Sequence, residues 1–234
     1  GPLGHYFLTW LLDAEMPRIR EKAPAPLKVW FWLGRDPSHC INLDKRNMWL
    51  TNLFRPALQL IGAVEDERAI HGRYKEFWLN GDICKGALSG EDVPRFNVPF
   101  RFKWAEDAVT ITLREASHCS HRNSDLDAWL RFAGKLTADG EHVIFVRDTA
   151  KADEPLPYET CPTASRDLRT RVGLYESAKI NLFVSNGPTI FAIFGSRPFL
   201  LFCGVEAEEP DELHKGPWWR DRNGILTGEQ YPWS

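Results

Sequence analysis

An α/β protein in two lobes is what this sequence predicts, and three observations carry the prediction. Between Val109 and Cys203, short β-branched and apolar runs alternate with helical stretches, a pattern that builds a parallel sheet covered by helices on both faces. A length of 234 residues suits one large domain or two small lobes, and 43% hydrophobic with 26% charged residues is the composition of a globular protein. The stretch from Ile180 to Phe191 reads as a buried strand, a tight polar turn and a helix opening at Pro188.

Element by element, the first part predicts a smaller α/β lobe. Gly1-Pro2-Leu3-Gly4 resembles a protease-cleavage scar and is set aside. Tyr6 to Ile19 has apolar residues at helical spacing (Phe7, Leu8, Leu11, Leu12, Met16), and Pro24 and Pro26 end it. Leu27 to Leu33 is a strand candidate, Met48 to Ile61 a second helix with Pro56 as a kink point, and Tyr74 to Leu79 another strand. Gly81 to Pro99 reads as connection.

In the second part, Val109 to Leu113 reads as a strand and Ser124 to Leu136 as a helix. Ser124 or Asp125 is its N-cap, Trp129, Leu130, Phe132 and Leu136 form its buried side, and Gly140 stops it. His142 to Val146 is a strand and Ser165 to Ala178 a helix. Ile180 to Val184 is a strand, Thr189 to Phe194 a short helix and Pro198 to Cys203 a last strand. In such sheets ligands sit at the carboxyl ends of the strands. That rule gathers Arg114-Glu115, Arg147-Asp148 and Ser185-Asn186-Gly187 at one rim.

Composition narrows the function. A net charge of -3 argues against a nucleic-acid binder. The five cysteines (Cys40, Cys84, Cys119, Cys161, Cys203) are scattered, odd in number and without CxxC spacing, which fits reduced thiols in a cytoplasmic protein. No apolar run approaches the roughly 20 residues that span a bilayer, and the chain opens with no signal-peptide pattern. The absence of GxGxxG, GxxxxGK[ST] and GxSxG motifs counts against dinucleotide oxidoreductases, P-loop NTPases and α/β-hydrolases.

The rim residues point to an anionic ligand. A strand ending in Ser185-Asn186-Gly187-Pro188-Thr189 leaves the first N–H groups of the next helix uncovered, and with the helix dipole they suit a phosphate or carboxylate. Arg114 could hold a diphosphate with two parallel hydrogen bonds, the alternative being a surface pair with Glu115 that caps the strand. The loop Ser117-His118-Cys119-Ser120-His121-Arg122-Asn123 lies over the ligand, with Arg122 and Asn123 as donors and His121 as a proton carrier. Zinc sites come as paired, spaced ligands, and no second cluster accompanies His118, Cys119 and His121, so no metal is expected there. Asp125-Leu126-Asp127 reads as a helix cap rather than a magnesium site. Asp148 would accept from a ribose hydroxyl or, in the competing reading, cap the following loop. Arg166, Arg169 and Arg171 line one helix, at least two of them facing solvent.

With these residues in view, the second half resembles the nucleotide-sugar-binding half of GT-B-fold glycosyltransferases. Val184-Ser185-Asn186-Gly187-Pro188-Thr189 is similar to the strand-to-helix turn that holds the donor diphosphate in heptosyltransferases, and Gly195 to Phe202 stands where their helix-to-strand step does. Val109 to Arg114 is similar to the fucosyltransferase strand whose terminal arginine grips the donor β-phosphate. The chain departs from those patterns at Ser185-Asn186, at Thr189 in place of a histidine, and at Glu115 in place of a second basic residue.

The resemblance implies two small Rossmann-like lobes: 5–104, a reduced α/β lobe on the acceptor side, and 105–234, the nucleotide-sugar-binding lobe with a tail (224–233) folded over the cleft. It implies a metal-independent glycosyltransferase with no cofactor, taking a nucleotide-diphosphate sugar and a glycan or other hydroxyl acceptor. Arg114, Arg122, Asn123, Asp148, Ser185, Asn186, Gly187, Pro188 and Thr189 would bind substrate. Glu115 or His121 would serve as the base, with Arg114 stabilising the leaving group. A non-catalytic nucleotide-binding module of the same fold and a nucleotide-sugar epimerase are the alternatives.

Overall fold

The computed structural model describes residues 3–22, 25–29, 50–65, 94–117, 120, 123–184 and 186–202. Two compact units make up the chain, residues 1–97 and 98–234. The strand expected over Tyr74–Leu79 and the C-terminal tail lie outside the described residues.

In the first unit, α1 (Leu3–Glu21) takes in Leu3 and Gly4, two of the residues set aside as a scar. Arg18 and Arg20 occupy its last turn, where the negative end of the helix dipole favours cations. Leu11, Leu12 and Met16 are fully buried, and the helix runs through Pro17. The described part of the first strand candidate is β1 (Lys28–Val29), which pairs in parallel with β2 (Val64–Glu65). The expected second helix begins as a π-helical turn (Leu50–Phe54) and becomes α-helical only at α2 (Arg55–Leu60). Pro56 thus sits at a helix start rather than at a kink, a position where its missing N–H costs nothing.

The second unit is a five-stranded parallel sheet of order β5-β4-β3-β6-β7. In chain order it runs β3 (Val109–Thr112), α3 (Leu126–Ala138), β4 (Val143–Val146), β5 (Glu159–Thr160), α4 (Leu168–Ser177), β6 (Ile180–Val184), α5 (Thr189–Ile193) and β7 (Phe199–Phe202). The chain lays β4 and β5 outward on one side of β3. It then crosses through α4 to place β6 on the other side. The strand order therefore reverses between β3 and β6, with Thr112 level with both Phe183 and Val146.

Both faces of the sheet are covered. Val109, Ile111 and Leu113 pack with Trp129 and Ala133 of α3 and with Leu182 and Val184 of β6. The opposite face carries Thr110 and Thr112 toward α4, as strand alternation requires. There Thr112 Oγ1 lies 2.8 Å from the Tyr175 hydroxyl, Thr110 Oγ1 donates to Asn181 Oδ1 at 2.6 Å, and Asn181 Nδ2 donates to the Tyr175 carbonyl at 3.0 Å. Burial pushes the Tyr175 hydroxyl pKa up, so it stays a neutral hydrogen-bonding group. The edge strand β5 is too short to declare itself in sequence.

Helix boundaries follow their caps. Asp125, not Ser124, caps α3 by accepting from the Ala128 N–H at 3.0 Å, and Gly140 (φ 87°) ends the turn beyond it. Asp125→Ala is expected to cost about 1 kcal/mol in chemical denaturation; an unchanged midpoint would show that the cap contributes nothing. The helix expected from Ser165 starts at Leu168, because Thr163–Ser165 form a 3₁₀ turn and Asp167 caps α4 through the Thr170 N–H. Arg166 consequently precedes the helix and pairs with exposed Asp153, while Arg171 Nε donates to the Ala164 carbonyl at 2.6 Å.

Candidate functional site

The carboxyl ends of β3, β4 and β6 form one edge, and the sequence-predicted residues there separate into two groups. The first is a buried ion pair. Glu115 accepts from Arg147 Nε at 3.0 Å and Nη2 at 2.5 Å, with both side chains almost fully enclosed. Arg147 Nη1 also donates to the Glu154 carbonyl at 2.9 Å. The bonded Glu115 carboxylate pushes the Arg147 guanidinium pKa further up. Glu115 therefore has both oxygens engaged and is a structural anchor joining the tips of β3 and β4. The catalytic-base role expected for it is at odds with this geometry, because accepting a proton would break a buried bidentate pair.

The second group surrounds Arg114, which is 6% exposed just past β3. Its N–H donates to Ser124 Oγ (2.9 Å), its carbonyl accepts from the Ser124 N–H (2.8 Å), and its Nη1 donates to Asn123 Oδ1 (2.8 Å). Asn123 also pairs with the backbone of Ala116 in both directions, accepting at 3.1 Å and donating at 2.9 Å. The amide expected to offer donors to a ligand is thus largely spent closing its own loop. Asp148, half-buried, accepts the Glu115 N–H on Oδ2 at 2.6 Å, and its Oδ1 has no described partner. His121 and Arg122 lie outside the described residues.

At β6, the donors expected past Gly187 are not free. The N–H groups of Thr189, Ile190 and Phe191 donate to the carbonyls of Asn186, Gly187 and Pro188 at 3.3, 3.3 and 3.1 Å. The turn closes with i→i+3 bonds from its first residue, which folds those donors inward. What remains is different: the N–H groups of Asn186 and Gly187, for which no acceptor is described, and Asn186 Nδ2, a buried nitrogen without a hydrogen-bond partner among the described residues. Asn186 Oδ1 accepts from Thr189 Oγ1 at 3.0 Å, which orients the amide. Ser185 lies outside the described residues.

Sequence reasoning missed the Arg147–Glu115 pair and the Asn123–Arg114 contact. The adjacent run Asn123-Ser124-Asp125 ahead of a helix was a usable signal for the second, since three short polar side chains exceed what one cap requires.

No family model and no curated protein matches this chain. Solved structures do. The bacterial iron-containing dodecameric glycosyltransferase TibC from enterotoxigenic E. coli aligns at TM-score 0.53 and 15% identity, over 100% of this chain and 61% of that one. Dodecameric iron-containing heptosyltransferase TibC in complex with ADP-D-beta-D-heptose aligns at TM-score 0.50 and 19% identity, over 87% of this chain and 56% of that one. The chain spans about three fifths of the length of these structures.

These matches correct the expectation of no cofactor, because both neighbours are described as iron-containing. Among the described residues, no three His, Cys, Asp or Glu side chains gather as metal ligands, and Cys161 is the only cysteine described. The described residues do not fit an iron site. Among the described residues, no helix is long and apolar enough to cross a membrane. By fold, this chain is built like the TibC glycosyltransferases.

Proposed function

We propose that the chain binds a nucleotide-diphosphate sugar at the carboxyl edge of its parallel sheet and transfers the sugar to a hydroxyl acceptor. The observation that carries this reading is the reversal of strand order between β3 and β6, which opens a crevice where such sheets hold nucleotides. Arg114 leaves the sheet on one side of that crevice and Asn186-Gly187 on the other. A neighbour of the same fold is described in complex with ADP-D-beta-D-heptose, which supports this class of donor.

In this reading the acceptor oxygen attacks the anomeric carbon, and the bond from that carbon to the β-phosphate oxygen breaks. The nucleoside diphosphate leaves with the bonding pair. The Arg114 guanidinium and the Asn186 and Gly187 amides meet the charge that builds on the leaving phosphate, where electrostatic stabilisation does most for rate. The uncommitted Asp148 oxygen accepts from a ribose or sugar hydroxyl. With Glu115 engaged by Arg147, His121 is the proposed base for the acceptor proton.

A thermal-shift screen against ADP, GDP, UDP, dTDP and CMP tests the reading, with CMP as the control that lacks a diphosphate. Stabilisation by at least one diphosphate and not by CMP is the expected result. Indifference to all five would sink the proposal. The engaged state of Glu115 favours one rival, a nucleotide-binding module without turnover. Release of sugar from a bound donor, with or without acceptor, separates the two.

A further inference from the structure

We propose that Trp104 is the platform of a carbohydrate-binding site at the amino edge of the five-stranded sheet, taking a neutral hexose ring of a glycan. This site lies beyond the sugar-transfer reading and uses none of its residues.

The chain entering β3 alternates rings and cations: Phe100-Arg101-Phe102-Lys103-Trp104. Phe100 and Phe102 lie against α4 where that helix carries Gly173. A Cβ there would stand 2.8 Å from a ring carbon of each, so only glycine admits them this closely. The Phe102 N–H donates to Ser177 Oγ at 2.6 Å, and that hydroxyl donates to the Gly173 carbonyl at 2.7 Å. Rings and backbone together clip this strap to the helix.

Trp104 continues from that base. It rides on a 3₁₀ turn (Lys103–Ala105) that leaves through Asp107 in the left-handed region, at φ 65°. The next carbonyl, of Ala108, accepts from the Lys179 N–H at 2.8 Å, which ties the turn to the start of β6. The Trp104 ring stacks on Phe102 with centroids 5.7 Å apart and planes 21° from parallel. That stack covers one indole face, yet 49% of the residue stays open to solvent. A lone mobile apolar side chain on a surface needs no explanation. This one is held by a stacked ring on a pinned strap, so it receives a ligand at little ordering cost.

The surroundings select the ligand. The C–H face of a pyranose suits the negative face of an indole, and its hydroxyls need acceptors and donors close by. Lys103, Glu106 and Asp107, all within three residues of the ring, are exposed and supply both. Among the described residues their side chains have no partner. Arg101 already faces the enclosed Glu176 carboxylate at 3.9 Å, which leaves Lys103 against Glu106 and Asp107 and no excess of positive charge. An anionic lipid surface or a polyanion seeks such an excess. An uncharged polyhydroxyl ligand does not.

Titration of the full chain, labelled with nitrogen-15 at tryptophan, with cellohexaose and with maltoheptaose tests this by NMR at the indole N–H signals. Trp104→Phe identifies the Trp104 signal by its loss. That signal is expected to shift saturably with at least one oligosaccharide while the other indole signals stay in place. Saturation transfer to the bound sugar should weaken several-fold in Trp104→Phe and vanish in Trp104→Ala, with melting unchanged in both. Stabilisation by nucleoside diphosphates should be the same in Trp104→Ala as in the wild type, so this site and the nucleotide reading fail separately. A Trp104 signal indifferent to both oligosaccharides, or equal transfer in the wild type and Trp104→Ala, overturns the proposal. A shift with phosphatidylcholine–phosphatidylglycerol vesicles and neither sugar would overturn it in favour of a membrane contact. A shift on protein dilution and with neither sugar would overturn it in favour of self-association.

Discussion

Arg147→Ala is expected to destabilise the second unit by about 3 kcal/mol, the scale for removing one partner of a buried ion pair. The side chains of Arg147 and Glu115 are 3% and 9% exposed, and the guanidinium meets the carboxylate with two nitrogens. Truncating the arginine leaves Glu115 enclosed, charged and without its partner. It also strips the Glu154 carbonyl of its donor and leaves the Glu115 N–H bond to Asp148 to tie the β3 tip to the end of β4. Replacing both partners together, Glu115→Leu with Arg147→Met, should recover much of the loss, because no unpaired charge is then buried. Urea denaturation of Glu115→Leu, Arg147→Met and the double variant closes the cycle. A single-variant cost below 1 kcal/mol would mean that the pair behaves like a surface ion pair.

Arg114→Ala is expected to weaken nucleoside-diphosphate binding by about 1.5–3 kcal/mol, the worth of a charged hydrogen bond, or roughly ten- to 150-fold in Kd. Arg114→Lys should fall between, since a lysine keeps the charge but cannot present two parallel donors. The lysine variant also guards against a trivial result, because Arg114 is largely enclosed and its truncation disturbs packing. Calorimetry on both variants, with melting curves alongside, reads the effect. Wild-type affinity in the alanine variant would remove Arg114 from the site.

The two expectations draw on different parts of the same edge, and the sequence exposed them unequally. The strand from Ile180 to Val184 was legible to its end residues, because a five-residue run that is apolar except at Asn181 and is closed by a polar turn has few other readings. The cap at Asp125 was legible too, although Ser124 competed for it and instead braces Arg114. The start of α4 was misread at Ser165. A 3₁₀ turn and an α-helix share the same local residue preferences, and only the Asp167 cap separates them. The donors at Gly187 were misread for a related reason. A Gly-Pro turn predicts that a helix opens there, but whether its first amides face outward depends on how tightly the turn closes.

Taken alone, the sequence determined the alternation of strands and helices, the class of sheet and the edge on which polar residues collect. Those follow from periodicity and turn chemistry, which are local. The strand order, and with it the partners of each rim residue, was decided only by the tertiary structure. Arg147 and Glu115 are 32 residues apart and meet because β3 and β4 lie side by side in register. That pairing joins Arg147 to a carboxylate, a partnership set by which strands become neighbours rather than by any local preference.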